Sequence, residues 1–289
     1  MRFPLDRYEL KTCASLQEAL SALASDPSAR PFAGGTDVMV LMEAGHLPAG
    51  RYVDLSRVRE LRGIDTAADA VTLGAMTTYT DVLRSEILRR EFPLLGMAAA
   101  ETGGVATQNR GTVGGNIANA SPAADTPPAL IVYDAELELV SSRGVRRLAY
   151  EKFHTGYKKM DLSPGELIAR VRLPRGRAAW RRYYRKVGTR RAQAISKVCF
   201  AGTADVVDGN VRDLRIALGS VAPTVVRAVA TEAAARGRAV DDRVVADAAS
   251  ALASEIAPID DVRSTAAYRL RVAQNLLREF LHSLTAAKS

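Results

Sequence analysis

The chain has 289 residues, of which 47% are apolar and 25% charged, a composition typical of folded proteins that excludes an intrinsically disordered chain. Its formal net charge is +8, but the basic residues are spread along the chain and accompany no recognisable nucleic-acid-binding motif, so we expect no nucleic-acid partner. No apolar run is long enough to span a membrane, and the N-terminus lacks the apolar region of a secretory signal, which predicts a cytoplasmic protein.

Residues 1–55 are predicted to form a small α/β unit, the first unit. The segment "RYELKT" alternates as a strand does, and Ser15 is placed to cap a helix whose apolar residues recur at helical spacing. A short strand then runs into a glycine pair, Gly34-Gly35, which is followed by the helix "DVMVLMEAG" and the closing strand "RYVDLS". This order places the backbone amides of the pair at a helix N-terminus, where phosphate is favoured.

Residues 56–174 are predicted to form a second unit of mixed structure. A strand with a turn at "AVTLGAMTTY" precedes a long helical stretch broken at Pro93. A second glycine pair lies in a loop over 111–125, and the segment 130–150 is expected to be a hairpin turning at Arg143-Gly144. The strand "ELIARVRLP" completes this unit.

The remaining residues, 175–289, are predicted to form a C-terminal domain that begins after Pro174 and consists of an antiparallel sheet with helices. Strand patterns surround a turn at 208–210, and three helical patterns follow. The last of them, over 265–284, is amphipathic, with an apolar stripe on one side and Arg, Gln and Glu elsewhere. The order of strands and helices as a whole predicts the α+β class.

The two glycine pairs are the strongest functional signal in the chain. Glycine lets the backbone approach a ligand closely and adopt positive φ, and successive N–H groups in such a turn form an anion-binding nest. Thr36, Thr112 and Asn116 add donors for phosphate oxygens. Each loop alone is equally compatible with a tight turn between strands, and neither fits the Rossmann or P-loop pattern. Together they predict a ligand with two phosphates, bound from both sides.

The residues around both pairs resemble the FAD-binding subunits of molybdenum hydroxylases, the family of carbon monoxide dehydrogenases and xanthine dehydrogenases. The resemblance rests on "PFAGGTDVMV" and "GTVGGNIANASPAADTPPALIVYDAELEL". It continues in the same order through "VTLGAMTTYTDV", "LSPGELIARVRLP" and "RKVGTRRAQAISKV". It implies a two-lobed FAD-binding domain of the vanillyl-alcohol-oxidase type, followed by a C-terminal domain.

The resemblance also implies which residues bind FAD. The position of Thr102 holds a flavin-stacking aromatic in animal xanthine dehydrogenases, a role that threonine cannot take, and the sequence does not choose among Tyr157, Tyr183 and Tyr184 as substitutes. The implied cofactor-binding residues are Pro31, Phe32, Ala33, Gly34, Gly35, Thr36, Asp37, Val38, Thr102, Thr112, Val113, Gly114, Gly115, Asn116, Asp125, Ile168 and Lys186.

Three of these positions carry specific expectations. Asp125 matches a flavin-contacting aspartate of the ribityl and isoalloxazine region, but it also fits a helix N-cap before Thr-Pro-Pro. Lys186 matches a lysine that approaches the flavin ring and would stabilise an anionic reduced flavin, whereas a solvated strand lysine is the structural alternative. Ile168 matches a position near the ring.

The histidines and cysteines predict no metal or catalytic site in this chain. His46, His154 and His282 lack metal-ligand spacing, and two cysteines, Cys13 and Cys199, exclude a disulfide framework or a four-cysteine cluster. Both cysteines are expected to be small buried residues. Because no His or Cys lies beside either glycine pair, we expect FAD to be bound without a covalent link.

The function implied by the resemblance is that of an electron-transfer subunit in a molybdenum hydroxylase complex. Such a complex holds molybdopterin on a large partner subunit and two [2Fe–2S] clusters on a small one, and electrons reach an external acceptor from FAD. A relay of this kind needs no catalytic residue of its own in this chain. The basic side chains Arg181, Arg182, Arg190 and Arg191 are candidates for an electrostatic contribution to docking.

Two other functions remain open from the residues alone. One is a free-standing FAD-dependent oxidase or dehydrogenase of the vanillyl-alcohol-oxidase type, although about 115 residues after Pro174 leave little room for a substrate-binding domain. The other is a non-enzymatic flavin- or nucleotide-binding module. The sequence names neither the substrate that the complex hydroxylates nor the electron acceptor.

Overall fold

The computed structural model, which describes residues 5–190 and 192–285, contains three open sheets of three to five strands, a short two-stranded hairpin and helices packed around them. This mixture confirms the predicted α+β class. Short 3-10 helices are formed by Leu5–Arg7, Arg59–Leu61 and Tyr150–Lys152.

The first sheet is parallel, with the strand order β1-β3-β2. Ser15 accepts a hydrogen bond from the N–H of Glu18, so the predicted cap of the first helix is confirmed, and that helix buries its apolar stripe. The second helix buries none of its residues. The elements are β1 (Tyr8–Thr12), α1 (Leu16–Ser25), β2 (Arg30–Phe32), α2 (Val38–Glu43) and β3 (Gly50–Asp54).

The second sheet is antiparallel, in the order β4-β5-β10-β6-β7, and buries one face against helices α3, α4, α5, α7 and α8. Its strands are β4 (Ile64–Thr66), β5 (Ala70–Gly74), β6 (Glu136–Ser141), β7 (Gly144–Ala149) and β10 (Leu167–Pro174), and β8 (His154–Gly156) pairs separately with β9 (Lys159–Met160). The helices are α3 (Tyr79–Arg84), α4 (Glu86–Glu91), α5 (Pro93–Glu101), α6 (Val105–Arg110), α7 (Val113–Ala118) and α8 (Thr126–Val132).

Three predictions for this part of the chain need correction. The long helical stretch breaks at Ser85 as well as at Pro93, because the Ser85 hydroxyl caps α4 by accepting from the N–H of Leu88. The second glycine pair lies in helix α7 and not in a loop. The hairpin begins at Glu136, since the apolar residues just before it complete α8, while its predicted turn before Gly144 is confirmed.

The C-terminal sheet is antiparallel, in the order β11-β12-β13-β14, and its predicted turn at 208–210 is confirmed. The segment Val226–Arg227 is a short strand, so the helix expected there begins only at Val229. Arg269, expected on the polar face of the last helix, is buried and donates to the carbonyls of Lys197 and Ser220. The elements are β11 (Arg181–Val187), β12 (Val198–Val207), β13 (Asn210–Gly219), β14 (Val226–Arg227), α9 (Val229–Ala235), α10 (Asp242–Glu255) and α11 (Ala266–Ser283).

The C-terminal sheet and the second unit share one core. Tyr184, Cys199 and Ala201 belong to the same buried cluster as the inner face of the five-stranded sheet, and α8 contacts β12 and β13. At the edge of this junction the Asp134 carboxylate accepts from Arg177, Arg215 and Arg227.

The domain limits 1–55, 56–174 and 175–289 remain predictions. Within the described parts of the chain, no helix is long and apolar enough to cross a membrane.

The packing of β12 against α11 predicts a size limit at Gly202. A Cβ at this position would lie 2.8–2.9 Å from three ring carbons of Phe280, whose side chain is fully buried and cannot swing away. We expect Gly202→Ala to cost about 1–3 kcal/mol of stability, measured as a lower midpoint of thermal unfolding. The matched control is Gly96→Ala in α5, where a Cβ meets nothing within 4 Å; it should keep or raise the midpoint, because Ala favours a helix. Equal midpoints for the two variants would contradict the packing argument.

Candidate cofactor-binding site

A cavity of about 660 Å³ lies between the first unit and the second, and its size falls in the range of small-molecule sites, about 300–1,000 Å³. Both predicted glycine pairs line it, so the structure brings together the two segments that the sequence singled out. The predicted residues that line the cavity are Pro31, Ala33, Gly34, Gly35, Thr36, Asp37, Val38, Thr102, Thr112, Gly114, Gly115, Asn116 and Ile168. The other four predicted residues, Phe32, Val113, Asp125 and Lys186, do not line the cavity.

The first glycine loop, residues 33–38, offers a row of unused donors. Within the described part of the chain, the backbone N–H groups of residues 34–38 donate to no protein acceptor. We call these five groups the amide row. Buried or ligand-facing N–H groups are rarely left without a partner, so such a row on a cavity wall is suited to an anion with several oxygens.

The conformation of this loop requires both of its glycines. Gly35 has φ +77°, and a Cβ there would lie 2.8 Å from the ring of Phe32, which packs behind the loop. A Cβ on Gly34 would lie 2.0 Å from the carbonyl oxygen of Arg110, so the loop meets the end of α6 backbone to backbone. Phe32 and Arg110 therefore fix the backbone of this loop, whose residues line the cavity.

The second glycine segment, residues 112–116 at the start of α7, is built differently. Its N–H groups at 113–116 donate to Thr77 O, Ala75 O, Thr112 Oγ1 and Thr112 O at 2.8–3.1 Å. These donors are used within the protein, and neither glycine has positive φ. The prediction that both loops form anion-binding nests is therefore wrong for this one.

The glycines at the start of α7 allow close packing between helix and strand. A Cβ on Gly114 would lie 2.5 Å from the Cβ of Ala75, so this glycine lets α7 lie against the end of β5. The Asn116 side chain keeps one function toward a ligand. Its Oδ1 accepts from the hydroxyl of Thr126 at 2.8 Å, which orients the amide and leaves its NH2 group as a donor.

Asp125 and Lys186 form a buried ion pair. Lys186 Nζ donates to Asp125 Oδ2 at 2.7 Å and to the carbonyl of Glu101 at 2.8 Å, and the two side chains are only 2% and 10% exposed. Burial raises the pKa of Asp125 to about 6, while Lys186 acts to lower it. Lys186 is not solvated, so the alternative of a solvated strand lysine is wrong. Asp125 does occupy the N-cap position of α8, although its side chain makes no capping bond.

The pair lies behind the cavity wall near Thr102. Thr102 follows Glu101, lines the cavity and donates its hydroxyl to the carbonyl of Ala98. Of the three tyrosines considered as stacking substitutes, none lines the cavity; Tyr184 donates to the carbonyl of Asp125, Tyr183 packs on Phe200, and Tyr157 is exposed.

Sequence reasoning missed the part of the wall that the C-terminal domain supplies. The segment 193–195, between β11 and β12, also lines the cavity, and Gln193 donates its N–H to the carbonyl of Gly103, which follows Thr102 in the chain. Its residues stand inside the motif "RKVGTRRAQAISKV", which signalled the family but not the contact. Arg191 lies outside the described residues. Other wall residues not predicted include Leu41, Leu47, Tyr52, Leu55, Met76, Tyr79, Thr107 and Leu167.

Comparison with known families agrees with this geometry. Residues 6–176 match the family model described as the FAD binding domain in molybdopterin dehydrogenase, and residues 182–284 match the CO dehydrogenase flavoprotein C-terminal domain. The chain therefore belongs to the FAD-binding subunits of molybdopterin dehydrogenases, a family of oxidoreductases. The resemblance drawn from the sequence motifs is confirmed.

Individual relatives match over nearly the whole chain. The FAD-binding subunit of xanthine dehydrogenase from Escherichia coli is 31% identical, with 95% of this chain and 94% of that protein aligned. The medium chain of glyceraldehyde dehydrogenase from Sulfolobus acidocaldarius is 32% identical, with 91% and 92% aligned. The structure of carbon monoxide dehydrogenase from Hydrogenophaga pseudoflava superposes with a TM-score of 0.93 at 31% identity, covering 98% of both chains.

The buried ion pair predicts a pH-dependent defect when its cation is removed. Lys186→Met leaves Asp125 buried without a cation, so its pKa rises further above about 6. Near pH 7.5 the carboxylate of the unfolded chain is ionised, and folding must either protonate it or bury it without a partner, so we expect a loss of roughly 3–5 kcal/mol. The loss should shrink toward pH 5, because a raised carboxyl pKa means that the folded state binds the proton more tightly.

Thermal unfolding of wild type and variant at both pH values measures this effect. Lys152→Met, at an exposed lysine of the second unit, is the matched control and should change the midpoint little at either pH. A defect of the same size at both pH values would show that Asp125 does not titrate as this environment requires.

Proposed function

We propose that the cavity between the two units binds FAD, with the amide row of the first glycine loop holding the diphosphate. The observation that carries the proposal is that residues 34–38 all line the wall and that none of their five backbone N–H groups has a protein acceptor in the described chain. Family membership supports it, because the matching domain is an FAD-binding domain.

The rest of the cavity wall suits the other parts of the cofactor. Asn116 would donate its free NH2 group to a polar oxygen, and apolar side chains such as Leu41, Leu55 and Met76 would pack against aromatic rings. Phe32 limits the space at Gly35, and Val113 is buried at the start of α7. Asp125 and Lys186, adjacent to Thr102, would set the electrostatic environment of the cavity. Bound FAD supplies electron transfer, and these residues orient it and limit its exposure to water.

The chain is the FAD-binding subunit of a molybdenum hydroxylase-type oxidoreductase, and we propose that it relays electrons from [2Fe–2S] clusters of a small partner to an external acceptor. A large partner with molybdopterin would hydroxylate the substrate. Support comes from relatives whose names identify them as medium chains or FAD-binding subunits of larger dehydrogenases. No observation favours a free-standing oxidase. The three domain limits and a cytoplasmic location remain predictions.

The first test is flavin occupancy of the purified full-length chain. Wild type should carry FAD that acid precipitation releases into the supernatant, because neither buried cysteine lies on the cavity wall. Gly34→Ala should lose most of the flavin, since its Cβ would lie 2.0 Å from a backbone oxygen and displace the amide row. Gly96→Ala, distant from any neighbour, should retain wild-type occupancy.

Absorbance of the flavin per protein chain, with circular dichroism to verify folding, measures the result. Full flavin occupancy in folded Gly34→Ala would contradict the role of the amide row. Flavin that stays in the acid pellet would contradict non-covalent binding.

The second test concerns the partners. Co-expressed with its neighbouring subunits, the chain should elute as a hetero-oligomer that contains molybdenum, iron and FAD, because a stable electron-transfer interface buries on the order of 1,600 Å². The exposed Arg182 and Arg190 are candidate contacts. The chain alone should show almost no substrate turnover. Full substrate oxidation by the metal-free single chain would exclude the relay.

A further inference from the structure

The proposed diphosphate site has little positive charge of its own. The first glycine loop holds no Lys or Arg, and the only cationic side chain among the described residues of the cavity wall is Arg30. Asp37 in the same loop is an acid. Backbone amides carry only partial charges, so a diphosphate with two negative charges held by them alone would remain largely uncompensated.

Arg110, at the end of α6, reaches this loop from outside the cavity wall. Its Nε donates to the carbonyl oxygen of Gly34 at 3.3 Å, and its backbone carbonyl lies against Gly34 on the same side. The N–H of Gly34 begins the amide row. Nε of Arg110 is thus held by the peptide group between Gly34 and Gly35, within the loop that we propose binds the diphosphate.

The rest of the Arg110 guanidinium remains available. The side chain is exposed, and within the described chain its two terminal amino groups donate to no protein acceptor. The end of α6 is held in place by its neighbours, since Asn109 accepts from the hydroxyl of Thr80 and Gln108 donates to the carbonyl of Thr102. The base of the Arg110 side chain is therefore fixed while its charged end is not committed.

We propose that Arg110 supplies the positive charge for the FAD diphosphate, with Nε anchored to Gly34 and the terminal amino groups directed to phosphate oxygens. This inference rests on the proposed function, because it takes the amide row as the diphosphate site. A guanidinium is always charged and forms strong, charge-assisted hydrogen bonds to phosphate. The residue lies 75 positions after Gly35 in sequence and is brought to the loop by the close approach of α6.

The test compares Arg110→Gln with Arg84→Gln in the full-length chain after removal of flavin. Both variants remove one exposed positive charge from the second unit, but Arg84 does not contact the loop. FAD and riboflavin, which has no phosphate, are titrated by fluorescence at low and high ionic strength. For Arg110→Gln we expect the Kd for FAD to rise about ten- to hundredfold at low salt, as for loss of a charged hydrogen bond.

The pattern across ligands separates a phosphate contact from a purely structural role. The FAD defect of Arg110→Gln should shrink at high salt, riboflavin should bind as in wild type, and Arg110→Lys, which keeps the charge but loses the Nε contact, should have an FAD affinity between those of Arg110→Gln and wild type. Arg84→Gln should match wild type throughout. Unchanged FAD affinity in Arg110→Gln, or equal losses for FAD and riboflavin, would overturn the role of Arg110 while leaving FAD binding intact. No FAD binding by wild type would overturn the proposed function as well.

Discussion

The cavity depends on one close approach between backbones, that of Gly34 to the carbonyl of Arg110. Any side chain at position 34 would hold the first unit away from the end of α6 and open the wall between them. The same contact fixes the backbone of the loop whose N–H groups, the amide row, have no protein acceptor in the described chain. Gly114, packed on Ala75, applies the same principle to the second unit, where α7 lies directly on the end of β5.

Local signals in the sequence were sufficient for most of the fold. Ser15 stands where a helix must begin, Asp208 and Gly209 take the positive φ that a tight turn needs, and strand alternation marked β10 to β13. The predictions of secondary structure were wrong where a local sequence pattern is compatible with two different structures. The apolar run that ends at Val132 is compatible with a strand or a buried helix, and only its burial on all sides between two layers selects the helix.

The sequence predicted most of the residues that line the cavity, but it did not predict the contacts that these residues make. Glycine pairs indicate a close approach, but the sequence does not say whether a ligand or another part of the protein approaches. Gly35 has positive φ in the loop that lines the cavity, whereas Gly114 packs against Ala75 of the protein itself. Asp125 and Lys186 are 61 residues apart, and their pairing requires the C-terminal sheet to lie on the second unit. The contact of Arg110 with the first loop likewise depends on tertiary packing.

Helix α8 has a consequence for how the chain is made. All seven of its residues are buried, and part of their cover comes from β12 and β13, which are synthesised well after it. At roughly 5–20 residues per second, the ribosome needs several seconds to deliver those strands. During that interval the FAD-binding part of the chain has been synthesised, but the strands that cover one side of α8 have not, so apolar side chains of α8 lack their final cover. A fragment ending at Pro174 would stay in that incomplete state permanently.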